Sequence, residues 1–312
     1  MVRLVFCGTP QFAIPTLQAL LGAGHKIELV VTQPDRVRGR DQAPSPPPVK
    51  ARALEAGLPV LQPEKIKNNP DFRAHLEAIR PDAIIVVAYG RIIPDWMLQL
   101  PRYGNLNLHA SLLPNYRGAA PIQWAVANGE VVTGVTTMLL EAGLDTGPML
   151  LAQAVPVGLE ETAVDVFETL AAAGSELMVA TLTGLEAGTI VPQVQAHELA
   201  TLAPILTRED GWIDFARTAK QIYDRWRGFQ PWPGAHTTLR GKKLIVHRMG
   251  LVDPSVEIQP GIIGSDRDRM LVGCGDETVI EFVEVQMEGK KRMAATEFLR
   301  GFQVSGGERL GI

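Results

Sequence analysis

Short, almost wholly apolar runs recur along the first half of the chain, and helical stretches separate them. Leu4-Val5-Phe6-Cys7 is the first, and Ala83-Ile84-Ile85-Val86-Val87-Ala88 is the most uniform. Apolar runs of this length without polar alternation suit strands covered on both faces, as in parallel sheets flanked by helices. Strands are expected at 3–7, 26–32, 83–88, 104–109, 134–141 and 149–155, with helices at 12–21, 50–55, 71–79, 121–128 and 161–185. The alternation implies an α/β fold built on a doubly wound, mainly parallel sheet. Gly8-Thr9-Pro10 turns the first strand, and 33–49 reads as a long loop rich in Pro, Arg and Gly.

Beyond the 161–185 helix the texture changes. Residues 191–205 are polar and irregular. After them, β-like runs at 241–246, 269–272 and 278–286 are separated by Gly, Pro and Asp, which suggests a small β-barrel. The expected organisation is a first domain over 1–188, a linker over 189–207 and a C-terminal barrel over 208–312.

Size and charge limit the function. The chain has 312 residues, 46% of them hydrophobic, enough to bury a full core. Residues 1–207 carry 14 Lys and Arg against 19 Asp and Glu, and residues 208–312 carry 16 against 15. A net charge of −4 argues against a strongly basic, non-specific nucleic-acid binder and leaves room for a local basic face on the tail. Cys7 and Cys274 form no CxxC pair, so no zinc or redox site is expected, and a reducing compartment is. No apolar run approaches a membrane span, and the first apolar run is too short for a signal peptide. A cytoplasmic protein with no membrane partner and no metal is expected.

The chemistry concentrates in Asn107-Leu108-His109-Ala110-Ser111-Leu112-Leu113-Pro114-Asn115-Tyr116-Arg117-Gly118 and in Gly143-Leu144-Asp145-Thr146-Gly147. On a strand, positions i and i+2 share a face, so the Asn107 amide and the His109 imidazole project together. They do so at a C-terminal strand edge, where open α/β sheets place their sites. Asp145, between glycines, is either a turn former or the carboxylate that tunes the imidazole. Ser111-Leu112-Leu113-Pro114 is either a rigid surface loop or an apolar slot for a flat heterocycle. Gly8-Thr9-Pro10 is not GxGxxG, and no GxxxxGK[ST], GxSxG or HExxH occurs, which excludes dinucleotide, ATP, serine-hydrolase and zincin readings.

Arg36, Arg38 and Arg40 lie within five residues on one loop, either solvated or placed for phosphate contact. In the tail, Lys242, Lys243, Lys290, Lys291 and Arg292, with Arg225, Arg227, Trp226 and Trp232, form a basic and aromatic set. The Lys and Arg clusters could line an RNA backbone, whereas the tryptophans read as core or interface residues.

Together with Phe6-Cys7-Gly8-Thr9-Pro10, Thr32-Gln33-Pro34-Asp35-Arg36, Val87-Ala88-Tyr89-Gly90 and Gly118-Ala119-Ala120-Pro121-Ile122-Gln123, these motifs resemble the folate-dependent formyltransferase superfamily over essentially the whole chain. Gly-Ala-Ala-Pro-Ile-Gln and Thr-Gln-Pro-Asp-Arg point to its tRNA-directed branch, the methionyl-tRNA formyltransferases. The resemblance implies a Rossmann-like first domain and an OB-like barrel. It implies 10-formyltetrahydrofolate as co-substrate and initiator methionyl-tRNA as acceptor, handled by a monomer. By resemblance, Asn107, His109 and Asp145 are catalytic. Ser111, Leu112, Leu113 and Pro114, with Ala88, Tyr89, Gly90 and Leu140, bind the folate. Arg40, beside Arg36 and Arg38, matches a loop arginine that serves the tRNA acceptor end. The sequence departs from the family just after it, with Asp41-Gln42-Ala43 where lysines are usual. A positioning role is therefore expected of this loop rather than a strong electrostatic grip.

Overall fold

The apolar runs pair as their burial requires. In the computed structural model, which describes residues 1–37, 44–253, 257–264 and 268–311, seven strands form one sheet in the order Met149–Pro156, Val132–Leu139, Asn105–His109, Ala83–Val87, Arg3–Gly8, Lys26–Val31, Val60–Leu61. The five from Asn105–His109 to Val60–Leu61 are parallel, and Val132–Leu139 and Met149–Pro156 add antiparallel to the edge. Strand order reverses between Arg3–Gly8 and Ala83–Val87. That is the switch point where doubly wound sheets open a crevice at their carboxyl ends.

Both faces of this sheet are covered. One carries Val5, Cys7, Leu29, Val31, Ile84 and Val86, packed with Phe72, Leu76 and Met97. The helix Pro70–Ile79 on that side starts at Asn69, whose side chain accepts from the Phe72 N–H at 3.0 Å. On the other face, the long helix Ala163–Ala187 brings Gly174 against Leu108, so close that an added Cβ would lie 2.6 Å from a Leu108 methyl. Thr137 of the sheet and Thr181 of the helix pair their hydroxyls at 2.7 Å, which satisfies two buried polar groups at once.

Chain contacts divide the molecule into two compact units. One comprises Met1–Pro121, Val132–Pro156 and Phe167–Pro204; the other comprises Ile122–Val131, Val157–Val166 and Ile205–Ile312. In the second unit, Ala235–Leu239, Lys242–Leu251, Val279–Met287 and Met270–Gly273 form an antiparallel sheet, with Met293–Ala294 on Val279–Met287. Single bridges continue it from Val272 to Ile263, from Ile262 to Arg309, and from Leu310 back to Leu239. The ring of pairing is thus closed into a barrel, which removes the exposed edges an open sheet would present. The helices Ala219–Gly228 and Ala295–Gly301 pack on its core.

Several elements differ from the sequence reading. The helix expected at 12–21 is a 3-10 turn, Gln11–Ala13, followed by Ile14–Gly22, with Pro15 in the first turn. The expected loop at 33–49 contains the short pair Arg36–Val37 and Pro44–Ser45 and the start of the helix Pro48–Glu55. Val60–Leu61, Ala235–Leu239 and the two barrel helices were not anticipated. Arg227 is no RNA contact. It is buried, and it donates to Asp224 at 2.9 Å and to the carbonyls of Gly158 and Glu161 at 3.1 and 2.9 Å. Its neighbour Arg225 lies over the Phe229 ring at 4.8 Å and donates to the Asp210 carbonyl. Lys220 also reaches Asp224, at 2.5 Å. Removing one member of a buried ion pair strands the other, so Arg227→Ala should lower unfolding free energy by about 3–5 kcal/mol in a urea titration, whereas Lys220→Ala, at the exposed end of the same cluster, should cost well under half of that.

Candidate active site

A sheet covered on both faces has room for polar side chains where its strands end. Asn105, Asn107 and His109 share the face of Ile84 and Val86, with Val86 opposite Asn107 on one side and Thr136 opposite His109 on the other. Asn105, the first residue of the strand, donates its amide to the carbonyls of Met97 and Leu98 at 2.8 and 3.2 Å. Asn107, only 9% exposed, makes no hydrogen bond from its carboxamide to any described residue. His109 is 5% exposed, and its Nε2 lies 2.9 Å from the Tyr116 carbonyl. That oxygen can only accept, so Nε2 carries a proton.

The Asp145 carboxylate approaches the other edge of the ring, with Oδ2 3.7 Å from His109 Nδ1. This is too long for a hydrogen bond but well within Coulombic reach. Asp145 does not hold the ring through a hydrogen bond here; the Tyr116 carbonyl does. The same Oδ2 accepts the Gly118 N–H at 2.8 Å. Asp145 stands in the left-handed region at φ 52°, a conformation Asp tolerates better than most residues. Gly147 is required for space rather than for φ, because a Cβ there would lie 1.9 Å from the Leu139 carbonyl oxygen.

The Ser111-Leu112-Leu113-Pro114 segment differs from the exposed slot expected. Leu113 is buried and Leu112 half-buried, packed over Gly134, where a Cβ would meet Leu112 at 2.5 Å. The Ser111 hydroxyl donates to the Asn115 carbonyl at 2.6 Å, closing the loop on itself. Thr136 ties this loop to the neighbouring strand: its hydroxyl donates to the Ser111 carbonyl at 2.7 Å and accepts the Leu113 N–H at 3.2 Å. Ala88, Tyr89 and Gly90 form the turn at the carboxyl end of Ala83–Val87, with Ala88 and Gly90 exposed and Tyr89 buried. Thr9 Oγ1 and Gln33 Nε2 both donate to the Tyr89 carbonyl, at 3.2 and 3.1 Å, so the turn is braced from the switch point. The Leu140 N–H donates to the Asn105 carbonyl, placing Leu140 beside the Asn107 strand.

Two buried residues that support the Asp145 loop escaped the sequence reading. Arg117 is 6% exposed, and Gln195, from the expected linker, is 2% exposed and hydrogen-bonds to it. The first sat inside a quoted motif, while the second lay in a stretch whose polarity read as solvent exposure.

Among the expected RNA contacts, Arg36 is exposed on the pair Arg36–Val37 and Pro44–Ser45, while Arg38 and Arg40 lie outside the described residues. Lys242, Lys243, Lys290 and Lys291 are exposed, and the Glu288 N–H donates to the Lys243 carbonyl at 2.8 Å, bringing the two hairpins to one end of the barrel. Arg292, also exposed, pairs with Glu284. No helix among the described residues is long and apolar enough to cross a membrane.

The structure thus sets an imidazole between a carbonyl and a carboxylate, beside a near-buried amide, on a strand of a doubly wound sheet. Residues 2–182 match the formyl transferase family and 205–303 match the formyl transferase C-terminal domain. The solved N-formyltransferase of Helicobacter canadensis, in complex with folinic acid and dTDP-3-aminofucose, has the same fold. It superposes with a TM-score of 0.64 at 17% identity, over 92% of this chain and all of that one. The methionyl-tRNA formyltransferases of Acidobacterium capsulatum and Koribacter versatilis are 63% and 55% identical over 99% of this chain, covering 100% and 98% of their own lengths. The chain belongs to the methionyl-tRNA formyltransferase family.

The packing at Gly147 makes a direct test of the loop. Gly147→Ala must push the Asp145 turn off Leu139, which moves the Asp145 carboxylate relative to His109. Steady-state formyl transfer by this variant should show a fall in kcat of about tenfold or more, with folate binding retained.

Proposed function

We propose that this chain transfers the formyl group of 10-formyltetrahydrofolate to the α-amine of methionyl-initiator-tRNA, with Asn107, His109 and Asp145 as its catalytic residues. The observation that carries this reading is the Asn107 carboxamide, nearly buried and without a partner among the described residues, two positions before an imidazole paired with a carboxylate. A donor left open in this way suits a carbonyl oxygen arriving from a substrate, and the site therefore fits a formyl donor. The folate supplies the formyl group in activated form. Ala88, Tyr89, Gly90, Leu140 and the Ser111-Leu112-Leu113-Pro114 loop are assigned to hold it.

The methionyl α-amine attacks as the free base, which is available near neutrality because such amines titrate near pH 8. A carbon–nitrogen bond forms to the amine, the bond to N10 breaks, and one proton passes from the amine to N10. Asn107 donates to the formyl oxygen as it gathers negative charge, an interaction typically worth about 3–4 kcal/mol. With its Nε2–H held by the Tyr116 carbonyl, His109 donates to the formyl oxygen or relays the proton from Nδ1, the nitrogen that faces the Asp145 carboxylate, and the carboxylate offsets positive charge on the ring.

The basic end of the barrel supports an RNA acceptor over a small one. Lys242, Lys243, Lys290, Lys291 and Arg292 are assigned to the tRNA backbone, and Arg36, Arg38 and Arg40 to its acceptor end. In this reading residues 1–188 form the formyltransferase domain, 189–207 the linker and 208–312 the tRNA-binding barrel. The limits of the two family matches, 182 and 205, support that division. Charged tRNA and reduced folate meet in the cytoplasm, where the enzyme acts as a monomer.

Asn107→Ala and His109→Ala should each lower kcat by about a hundredfold or more, with little change in folate affinity. Near-normal turnover in either variant would remove the assignment. Replacing Lys242, Lys243, Lys290 and Lys291 with Ala should instead raise KM for charged tRNA and flatten the log–log salt dependence of binding, by about 0.9 for each phosphate no longer neutralised. An unchanged salt slope would clear the barrel of the role.

A further inference from the structure

Three consecutive residues brace both the imidazole and the carboxylate. The Tyr116 carbonyl takes the His109 proton, and the Gly118 N–H donates to the Asp145 carboxylate. Between them, Arg117 turns inward and acts on Asp145 through Gln195. Arg117 Nε and Nη2 donate to the Gln195 amide oxygen at 3.0 and 2.6 Å, and Nη2 also reaches His197 Nδ1 at 3.1 Å. The Gln195 amide nitrogen donates to the carbonyls of Asp145 and Gly147 at 2.9 and 2.7 Å. A guanidinium only donates, so it fixes which end of the amide faces the Asp145 loop. The glutamine's two protons and both lone pairs are then all used.

The segment carrying Gln195 is itself pinned. The Thr201 hydroxyl accepts the Tyr116 N–H at 2.8 Å, the Thr201 carbonyl accepts the Arg117 N–H at 2.9 Å, and Leu202–Ala203 pairs with Arg117–Gly118. Gly118 makes this approach possible: it stands at φ 125°, and a Cβ there would lie 2.6 Å from the Ala203 carbonyl oxygen.

We infer that Gln195 is a positioning residue for the formyl-transfer reaction: by clamping the backbone of Asp145 and Gly147 against Arg117, it sets the approach of the Asp145 carboxylate to His109. The inference rests on the catalytic reading of Asp145 and His109. Its chemistry is specific to an amide. Glutamate in the same place still accepts from Arg117 but has no proton for either carbonyl and repels both. Alanine leaves Arg117 Nε and the carbonyls of Asp145 and Gly147 without their partner in a buried place, and Arg117 Nη2 with His197 alone.

The test compares Gln195→Glu, Gln195→Ala, Asp145→Asn and the double variant Gln195→Glu with Asp145→Asn. Rates are expressed per folate-binding site titrated with 5-formyltetrahydrofolate, so that misfolded protein is not counted. Both Gln195 variants should lose about tenfold or more in kcat, with KM for either substrate moving by less than about threefold. If Gln195 works through Asp145, the double variant should be no slower than Asp145→Asn alone, since coupled sites are not additive. Losses that multiply in the double variant, or Gln195 variants within about twofold of the parent rate, would overturn the inference. A slow Asp145→Asn beside normal Gln195 variants would overturn the positioning alone; an unimpaired Asp145→Asn would overturn the catalytic reading with it.

Discussion

A sheet buried on both faces has little place for polar side chains except where its strands end, and that constraint sets the layout of the site. Asn105, the first residue of the Asn105–His109 strand, donates its amide protons to the carbonyls of Met97 and Leu98, while its buried Oδ1 has no partner among the described residues. Asn107 and His109, further along the same face, meet the opening at the carboxyl edge. The carboxylate must then come from outside the parallel strands. The antiparallel pair Val132–Leu139 and Met149–Pro156 supplies it on the loop that joins them.

A group aimed at developing charge is useful only if it is already in place when the charge develops. The imidazole is fixed by a backbone carbonyl, and the carboxylate by a backbone N–H, both from the Tyr116-Arg117-Gly118 stretch. That stretch is irregular and would be free to move without Thr201 and Leu202–Ala203, which tie it by a hydroxyl and by strand pairing. Arg117 is accommodated among neutral acceptors, Gln195 and His197, rather than against a carboxylate.

Much of the fold was legible because burial leaves a plain trace in composition. Leu4-Val5-Phe6-Cys7 and Ala83-Ile84-Ile85-Val86-Val87 have no polar alternation, and both are core strands of the parallel sheet. The shared face of Asn107 and His109 was legible from period-two spacing, and the turn at Asp145 from its flanking glycines. Elements held by tertiary contact rather than by their own pattern were not. Val60–Leu61 is two residues long and takes its place from Lys26–Val31. The final barrel bridge at Leu310 depends on a partner seventy-one positions away, at Leu239. Gln195 was missed for the same reason, since polarity marks a residue as solvated unless its partner, here Arg117, is also known to be buried. Leu112 packs over Gly134, whose missing side chain leaves room that no local pattern announces, so an exposed Leu pair was the wrong expectation.

In the proposed reaction, one set of side chains moves a formyl group to an amine carried on RNA. The direct measurement offers the purified chain 10-formyltetrahydrofolate with methionyl-initiator-tRNA, with glycinamide ribonucleotide, or with no acceptor, and follows the formylated product in each. Rapid formylation of the charged tRNA, with little turnover in the other two reactions, is the expected result. Equal or faster formylation of glycinamide ribonucleotide, or loss of the formyl group to water whatever acceptor is present, would contradict the account.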